Sequence, residues 1–354
     1  MGLIFIRRKM KWSIQINGKH YNNENLLSID DYEIRAFLEE WGNNELYIPV
    51  KTSGSTGKPK LIHLRKSDMI ASAKLTGEYF NLKNGQTVLL CLPVKYIAGK
   101  MMVVRALVLG LNLVSVEPSS NPILNRFQSI KFAAMTPMQV STILNKSPDK
   151  LNLIEQLIIG GAPVDSLLES KLQEVKTHCF STYGMTESVT HIAVKILNGE
   201  NKSKYFKALP NITFHLNQYD CLVINAPHLS SSIITTSDII KIIDKQSFKW
   251  VGRLDNAINS GGIKLHPEEL ETKISGLFHN TRFFFSSLPD ELFGERLVLV
   301  IESQNNIHDL ESSLGRILDL FEMPKTIFYT DCFLETKTRK VDRNKTLASI
   351  LKRS

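Results

Sequence analysis

The sequence predicts an α/β fold, in which a large N-terminal domain has parallel sheets with helices and a small β subdomain, and a small α+β C-terminal domain follows. Three features of the 354-residue chain support this fold class. Short β-like runs alternate with helical patterns in the first part, short strands follow one another from about residue 210, and a new alternation starts at about residue 254. Strands that alternate with helices favour a largely parallel sheet with loops at the strand ends.

The first part of the chain supplies five β-like runs and one clear helical pattern. The runs are rich in apolar residues and are TVLLCL (87–92), NLVSV (112–116), KFAAMT (131–136), QLIIGG (156–161) and THCFSTYG (177–184). A helix is predicted after Ser67, a residue type that favours the N-cap position. Its inward face would consist of residues at helical spacing, namely Met69, Ala73, Thr76 and Phe80.

Two changes of pattern locate the domain boundary. The segments CLVINAP, SSIITTSD, IIKIID and FKWVG read as short strands joined by turns, which indicates a small β subdomain. Further on, a helix (267–276), the strands RFFFSS and RLVLVIE, a helix (308–320) and the strand TIFYT form a compact α+β pattern. We therefore place the boundary near Arg253–Asp255 and expect domains over residues 1–253 and 254–354.

Composition weighs against several classes of protein. The chain carries 43 basic and 35 acidic residues, which could bind nucleic acid, a membrane surface or an anionic ligand, but no basic run has interleaved aromatic residues, so an anionic small molecule fits at least as well. The four cysteines lack CxxC spacing, which argues against a zinc site or disulfides and for reduced thiols in a cytoplasmic protein. The apolar segment MMVVRALVLGLNLVSV is short and is interrupted by Arg105, so no membrane span is expected.

The stretch TSGSTGKPK (52–60) is the first candidate for chemistry. Its glycines, hydroxyl groups and lysines suit a phosphate that must be held and then released. The spacing from Gly54 to Gly57 is too short for a Walker P-loop, and Pro59 follows Lys58 where that motif continues with Ser or Thr. A flexible surface turn is the alternative.

Two further motifs lie at the ends of predicted strands. In STYGMTES, Tyr183 could stack on a base, Thr186 could bind a phosphate oxygen and Glu187 could hold Mg²⁺. In LIIGGAPV (157–164), a buried strand runs into two glycines, which allow a close approach to the backbone. Ordinary strand-to-turn segments are the alternative for both.

The last two motifs lie near the domain boundary and near the C-terminus. GRLDNAINSGGIKLHPEELE (252–271) combines Arg253 and Asp255 at a turn with a pair of glycines, so it could be a linker or a hinge. TKTRKVDR (336–343) is basic, and a solvated tail is its alternative interpretation.

Together, and in this order, the five motifs resemble the acyl-adenylate-forming superfamily of acyl-CoA synthetases, aryl-CoA ligases and peptide-synthetase adenylation domains. TSGSTGKPK and YGMTE are highly specific as a pair, and the hinge segment is similar almost residue for residue. The resemblance covers about residues 50–343. It implies ATP and CoA as substrates, Mg²⁺ as cofactor, and a reaction that passes through an acyl-adenylate.

The resemblance also implies roles for individual residues. Glu187 would hold the metal, Thr186 would meet the phosphates, and Lys340 would bridge the acyl carboxylate and the α-phosphate during adenylation. Asp255 would be the hinge residue, and Gly261–Gly262 would border the CoA tunnel. The residues in contact with ATP would be Ser53, Thr56, Lys58, Gly161, Ala162, Tyr183, Asp238 and Arg253.

The chain departs from the superfamily pattern in four places. TTSD stands where RTGD is usual, Arg339 replaces the glycine before the catalytic lysine, and Tyr96 in PVKYIAG replaces a histidine. Only about 50 residues precede the phosphate loop, so the first subdomain must be truncated. These departures leave open a non-catalytic nucleotide-binding homologue.

Within the superfamily, LLCLPVKYIAGKMMVVRAL and YGMTESVTHIA most resemble the o-succinylbenzoate–CoA ligase branch of menaquinone biosynthesis. The partner would then be an aromatic carboxylic acid, with Tyr96, Lys100 and His191 as acid-binding candidates. Lys100 is preferred to Arg105 because it follows Gly99 at the expected start of a helix. Another aryl- or acyl-CoA ligase is the alternative, and homo-oligomer formation is left open.

Overall fold

The computed structural model describes residues 11–51, 60–122, 129–278, 281–336 and 341–352. Its helices in these ranges are α1 (Tyr32–Gly42), α2 (Lys66–Tyr79), α3 (Ile97–Leu109), α4 (Pro137–Lys146), α5 (Ser166–Lys171), α6 (Pro267–Ile274), α7 (Leu310–Gly315) and α8 (Arg343–Leu351). Among the described residues, no helix is both long and apolar enough to cross a membrane.

The strands fall into a long series before residue 254 and a shorter series after it. The first series is β1 (Ser13–Ile16), β2 (Lys19–Asn22), β3 (Tyr47–Lys51), β4 (Leu61–Arg65), β5 (Thr87–Leu90), β6 (Asn112–Ser115), β7 (Ile130–Met135), β8 (Ile154–Ile159), β9 (His178–Gly184), β10 (His191–Ile196), β11 (Phe206–Ala208), β12 (Thr213–Leu216), β13 (Cys221–Asn225), β14 (Ile233–Asp244) and β15 (Ser247–Arg253). The second series is β16 (Ile258–Ser260), β17 (Ile263–Leu265), β18 (Phe283–Asp290), β19 (Gly294–Glu302) and β20 (Thr326–Thr330).

The largest sheet has 13 strands in the order β12-β13-β14-β15-β11-β10-β9-β8-β7-β5-β6-β1-β2. The block from β1 through β6, β5, β7 and β8 to β9 is parallel, and the strands from β10 to β12 pair antiparallel. The predicted α/β class is therefore confirmed. The antiparallel part begins at β10, before the predicted residue 210, because a short turn folds the chain back along β9.

Helices cover both faces of the parallel block because alternate side chains of a strand point to opposite faces. On β7, Phe132 and Ala134 belong to the apolar cluster that includes residues of α2 and α3. Their neighbours Ala133 and Met135 belong to the cluster on the other face, with residues of α4 and α5. On the face with α2 and α3, the ring centroid of His191, one of the acid-binding candidates, lies 6.1 Å from that of Phe80.

The start of α2 differs from the prediction. The N-cap is Arg65, and Ser67 lies inside the helix, so the predicted cap was wrong. The reason is Lys66, whose buried ammonium donates hydrogen bonds to the carbonyl oxygens of Trp41 (2.8 Å) and Asn43 (3.0 Å). These contacts satisfy carbonyls at the C-terminal end of α1, and they fix where α2 begins.

The second series of strands forms a separate sheet with its own apolar core. Its order is β17-β16-β19-β18, with β20 paired to β19, and it follows the 3₁₀ turn Leu254–Asn256. Leu270, Phe285 and Leu299 lie in its core. The helix predicted over 308–320 is shorter, since α7 ends at Gly315. Whether this unit moves as an independent domain stays a prediction.

Candidate active site

Strand ends bring those predicted nucleotide-binding residues that the structure describes to one edge of the large sheet. The parallel strands β8 and β9 end there, with Ile159 opposite Ser181, and loops at the carboxyl ends of parallel strands commonly form ligand sites. On the antiparallel side, Asp238 of β14 lies opposite Arg253 of β15. The candidate site is therefore made by the turns after β8 and β9 together with the β14–β15 pair.

The turn after β8 brings its backbone close to β9. A Cβ atom at Gly160 would lie 2.3 Å from the hydroxyl oxygen of Thr182, so a larger residue there would require the chain to shift. Gly161 has a φ of +83°, and a Cβ there would meet no atom within 4 Å. Gly161 and Ala162 are exposed, which leaves this backbone open to a flat ligand.

Tyr183 and Asp238 form the most direct contact within the candidate site. The Tyr183 phenol donates a hydrogen bond to the Asp238 carboxylate, and Asp238 is 8% exposed. Burial of the ring and then the charge of Asp238 raise the pKa of Tyr183, so the phenol remains a donor. One side of the ring packs edge-on against Phe248 at 5.1 Å between centroids, while Tyr183 stays half-buried.

Arg253 connects Asp238 to the predicted hinge residue. One guanidinium nitrogen lies 3.8 Å from the Asp238 carboxylate, and the other donates to Asp255 at 2.9 Å and to the hydroxyl of Ser237 at 2.7 Å. Asp255 itself is exposed and lies in the 3₁₀ turn between the two sheets. One cation therefore contacts both the predicted ribose carboxylate and the predicted hinge.

The turn after β9 holds Thr186 and Glu187, and a buried serine closes it. The Ser188 hydroxyl accepts a hydrogen bond from the Met185 amide (3.0 Å) and donates to the Thr190 carbonyl (2.7 Å). Thr186 is half-buried and Glu187 is exposed. Sequence reasoning missed Ser188, since only the folded turn shows that its side chain fixes the neighbouring backbone.

Several predicted residues lie outside the described part of the chain. They are Ser53, Thr56, Lys58 and Lys340. For the loop that contains the first three, the structure describes the flanks, because β3 and β4 pair antiparallel with Lys51 opposite Leu61. The two ends of that loop are therefore held side by side.

Two of the acid-binding candidates have other contacts. The Lys100 ammonium lies 3.0 Å from the Glu40 carboxylate of α1 and 4.5 Å from the centroid of the Phe37 ring. Tyr96 is the N-cap of α3 and is 43% exposed. The charge of Lys100 is thus already paired, which weakens the case for this lysine as the residue that binds a substrate anion.

Arg105 is a buried cation in the middle of α3. It is 2% exposed, its Nε has no hydrogen-bond partner in the described part of the chain, and one terminal nitrogen lies 3.3 Å from the sulfur of Met102. No ion pair found among the described residues includes it. Burial lowers its pKa to about 10, which still leaves it charged at neutral pH. A buried charge without a counter-ion is costly, and an anionic ligand would offset that cost.

His191, the third acid-binding candidate, lies near Arg105. It is 6% exposed, and its Nε2 has no hydrogen-bond partner. Burial, and then the charge of Arg105, lower the pKa of His191 well below its usual value, so the imidazole is neutral. A neutral imidazole with a free Nε2 can donate or accept one hydrogen bond, depending on its tautomer. The sequence did offer a clue to Arg105, since it interrupts the apolar run MMVVRALVL.

The predicted CoA-tunnel glycines form a tight turn in the second sheet. Gly261 and Gly262 have φ values of +60° and +80° and join β16 to β17, with Ser260 opposite Ile263. Positive φ at both central residues is typical of a two-residue hairpin turn and favours glycine. The Gly261 amide donates to the Phe293 carbonyl at 2.9 Å, which holds the turn against the next hairpin.

Comparison with known proteins adds a family and several relatives. The sequence profile described as AMP-binding enzyme matches residues 13–225. The 2-succinylbenzoate–CoA ligase of Lactococcus lactis is 23% identical over 323 residues, which cover 86% of this chain and 71% of that protein.

Two solved structures extend the comparison. An acyl-CoA synthetase (AMP-forming)/AMP-acid ligase II-like protein from Dyadobacter fermentans is 32% identical, with a TM-score of 0.62, and the match covers 96% of this chain and 100% of that one. The o-succinylbenzoate coenzyme A synthetase of Bacillus subtilis, in complex with ATP and magnesium ion, is 18% identical with a TM-score of 0.70. That match covers 84% of this chain and 69% of the other, and it concerns the fold alone.

Proposed function

The chain belongs to the family of AMP-binding enzymes and is an AMP-forming acid–CoA ligase, and we propose that the acid it activates is 2-succinylbenzoate. Membership of the family confirms the predicted resemblance to the acyl-adenylate-forming superfamily. The proposal for the acid is supported by the similarity to a 2-succinylbenzoate–CoA ligase. The observation that carries it is the buried Arg105, which forms no ion pair among the described residues and lies near the neutral His191.

The chemistry of the acid explains why a buried cation is needed. 2-Succinylbenzoate has two carboxylates, of which the succinyl one is activated and the ring one must be held apart from the phosphates. A carboxylate that leaves water requires a cation or several hydrogen-bond donors. The Nε donor of Arg105 has no partner among the described residues, whereas Lys100 is paired with Glu40. We therefore assign the ring carboxylate to Arg105, with His191 as a neighbouring hydrogen-bond partner.

The nucleotide fits the edge formed by β8, β9 and β14. The adenine would lie along the exposed backbone of Gly161 and Ala162 and against the free side of the Tyr183 ring. The Asp238 carboxylate, fixed by the Tyr183 phenol, has acceptor capacity left for the ribose hydroxyls. Arg253 lies beside it, where a cation favours a nucleotide over a nucleoside.

The residues present also fit a magnesium ion held mainly by its substrate. No group of three or more potential metal-ligating side chains occurs in the described part of the chain, and Glu187 is an exposed carboxylate on the turn after β9. Mg²⁺ is commonly bound through one or two carboxylates together with substrate phosphates and water. When bound, the ion would neutralise charge on the phosphate oxygens.

The proposed reaction has two steps on one site. The succinyl carboxylate attacks the α-phosphorus of ATP, and pyrophosphate leaves. The CoA thiolate then attacks the carbonyl carbon of the acyl-adenylate, and AMP leaves. From the resemblance we assign Lys340 to the carboxylate–phosphate junction and Ser53, Thr56 and Lys58 to the leaving pyrophosphate, where cations and donors stabilise developing charge.

The second step requires the glycine turn of the second sheet to reach the adenylate. We assign the pantetheine passage to Gly261 and Gly262; a Cβ at Gly262 would meet no described atom within 4 Å, whereas one at Gly261 would lie 3.0 Å from the Phe293 ring. The movement would occur at Asp255, the exposed residue of the 3₁₀ turn that separates the sheets. Exposed turns with few packed contacts are suited to act as hinges.

Pyrophosphate release with a panel of acids tests the proposal. We expect release that depends on ATP, Mg²⁺ and 2-succinylbenzoate, and that Lys340→Ala abolishes it while sparing thioester formation from preformed acyl-adenylate. Lys337→Ala is the matched control from the same segment and should retain activity. A preference for another acid would identify that acid as the substrate in place of 2-succinylbenzoate. If no acid led to pyrophosphate release, the non-catalytic nucleotide-binding alternative would be favoured.

A further inference from the structure

A cavity of about 300 Å³ that is open to the surface lies beside Phe80, on the side away from His191, and its lining residues Asn81 and His178 are exposed. Its walls come from the C-terminal end of α2 and from the first halves of β8 and β9, and they are Tyr79, Phe80, Asn81, Gln156, His178 and Phe180. A volume of this size is within the range of pockets that bind small molecules. Neither Arg105 nor His191 lines it.

The strand register shows how the cavity is placed relative to the acid pocket. Gln156 lies opposite both Phe132 and His178, so these residues form one row across the sheet. Phe180 belongs to the next row toward the carboxyl ends of the strands, opposite Ile158. His191 lies opposite Gly184, further along in the same direction. The cavity therefore lies toward the amino ends of β8 and β9, away from the carboxyl ends where the nucleotide site is proposed.

Phe80 separates the two spaces. Its ring centroid lies 5.0 Å from that of Phe132, 5.1 Å from that of Phe180 and 6.1 Å from that of His191. It is 2% exposed, and it is the only cavity-lining residue of the described chain with a ring contact to His191. Arg105 is close enough to His191 for its charge to lower the pKa of that histidine, and its guanidinium lies 5.9 Å from the Phe132 ring centroid.

We propose that Phe80 is a specificity-determining residue that closes the inner end of the acid pocket and so limits the length of acid that the enzyme accepts. The inference rests on the proposed function, since it assumes that the acid lies beside Arg105 and His191. A buried aromatic ring is rigid and fills its space, because protein interiors are closely packed. With the ring removed, the acid pocket would open into the cavity, whose aromatic residues Tyr79 and Phe180 could contact a longer tail.

Substrate length profiles of Phe80 variants test the proposal. Pyrophosphate release is measured with straight-chain acids from hexanoate to dodecanoate for the wild type, Phe80→Ala and Phe80→Leu. We expect Phe80→Ala to raise the kcat/KM ratio of dodecanoate to hexanoate by about tenfold or more, since each methylene that enters an apolar pocket has a large effect. Phe80→Leu, which keeps more of the packing, should change the ratio in the same direction by less.

Phe180→Ala is the matched control. Phe180 also lines the cavity and contacts Phe80, but it has no ring contact with His191. Replacing Phe180 enlarges the cavity but leaves Phe80 in place between the cavity and His191. The kcat/KM ratio of dodecanoate to hexanoate should therefore remain within about twofold of the wild-type value. An equal change in Phe180→Ala, or an unchanged ratio in both Phe80 variants, would overturn the proposal.

A binding measurement keeps the test independent of turnover. Thermal-shift titration with dodecanoate should show tighter binding to Phe80→Leu than to the wild type, and the same affinity for Phe180→Ala as for the wild type. Equal affinity in all three proteins overturns the role of Phe80. Failure of the wild type to release pyrophosphate with any acid would instead overturn the proposed function, so the two failures are distinguishable.

Discussion

Tyr183 donates a hydrogen bond from its phenol to the carboxylate of Asp238, and this contact joins the parallel and antiparallel parts of the large sheet. Tyr183 belongs to β9, the last strand of the parallel block, and Asp238 belongs to β14 on the other side. The two residues are 55 positions apart in the sequence. The candidate nucleotide site at this edge of the sheet therefore depends on how the parallel and the antiparallel parts of the sheet are placed relative to each other.

Removing the phenol tests this contact. Tyr183→Phe should raise the KM for ATP by about tenfold, because a hydrogen bond to a charged group contributes roughly 1.5–3 kcal/mol and its loss leaves Asp238 less well oriented. The KM for the acid should stay the same. Steady-state kinetics with each substrate varied in turn gives both values. Tyr205→Phe, at a 39% exposed tyrosine, is the control, and an ATP KM that rises equally there would contradict the assignment.

Arg105 should show opposite effects on binding and on stability. Arg105→Met should raise the KM for 2-succinylbenzoate by about tenfold or more, through loss of a charge-assisted hydrogen bond. The same change removes a buried charge without a counter-ion, so the melting temperature of the free enzyme should stay unchanged or rise. A lower melting temperature together with an unchanged acid KM would show that Arg105 is a structural residue.

Lys100→Met is the matched control for Arg105. Lys100 lies on the same helix but is paired with Glu40 and packs over Phe37. We expect its replacement to lower the melting temperature, since Glu40 loses its partner, and to leave the acid KM within about twofold. The reverse pattern, a large effect on the acid KM from Lys100 and none from Arg105, would restore the preference that the sequence alone suggested.

His191 gives the fold a dependence on pH. Its pKa in the folded protein lies well below the usual histidine value, because it is buried and lies near Arg105. Below the usual value, near pH 6.5, the unfolded chain binds more protons than the folded one, so stability is retained above about pH 6.5 and is lost as the pH falls. Between about pH 7 and about pH 5, the melting temperature of His191→Asn should fall by less than that of the wild type. His20→Asn, at an exposed histidine, should keep the wild-type dependence, and equal slopes for all three proteins would contradict the account.

Substitution of Asp255 by proline should affect the two steps of the reaction differently. Asp255→Pro should leave pyrophosphate release largely intact and reduce CoA transfer severely, since proline fixes φ and restricts rotation of the chain. Asp255→Ala is the control, because it also removes the ion pair with Arg253 but leaves φ free. Rapid-quench measurement of each half-reaction gives the comparison. Thioester formation at the normal rate in the proline variant would refute a hinge at this position.

The sequence predicted the features that depend on local pattern. QLIIGG became β8 and the turn after it, THCFSTYG became β9, and the motif glycines Gly261 and Gly262 have the positive φ values that a two-residue turn requires. These features follow from short apolar runs that end at glycines and from backbone sterics, which neighbouring residues determine.

Features set by contacts between distant residues could not be predicted in this way. Ser67 fits an N-cap by type, but the contacts of Lys66 with the end of α1 place the start of α2 earlier. Lys100 looked available in the sequence, yet it is paired with Glu40, a residue 60 positions away. The stronger candidate, Arg105, stands out only when burial and the absence of an ion pair among the described residues are known.

The most direct test of the central claim compares two acids that differ by one carboxylate. Formation of the CoA thioester is followed by mass spectrometry with 2-succinylbenzoate and with 4-oxo-4-phenylbutanoate, which keeps the succinyl group but lacks the ring carboxylate. We expect 2-succinylbenzoyl-CoA as product, with kcat/KM for 2-succinylbenzoate at least about tenfold higher than for 4-oxo-4-phenylbutanoate, because a charged group loses its partner in the second acid. Equal kcat/KM for the two acids would contradict an anion-binding role for Arg105 and, with it, the choice of 2-succinylbenzoate.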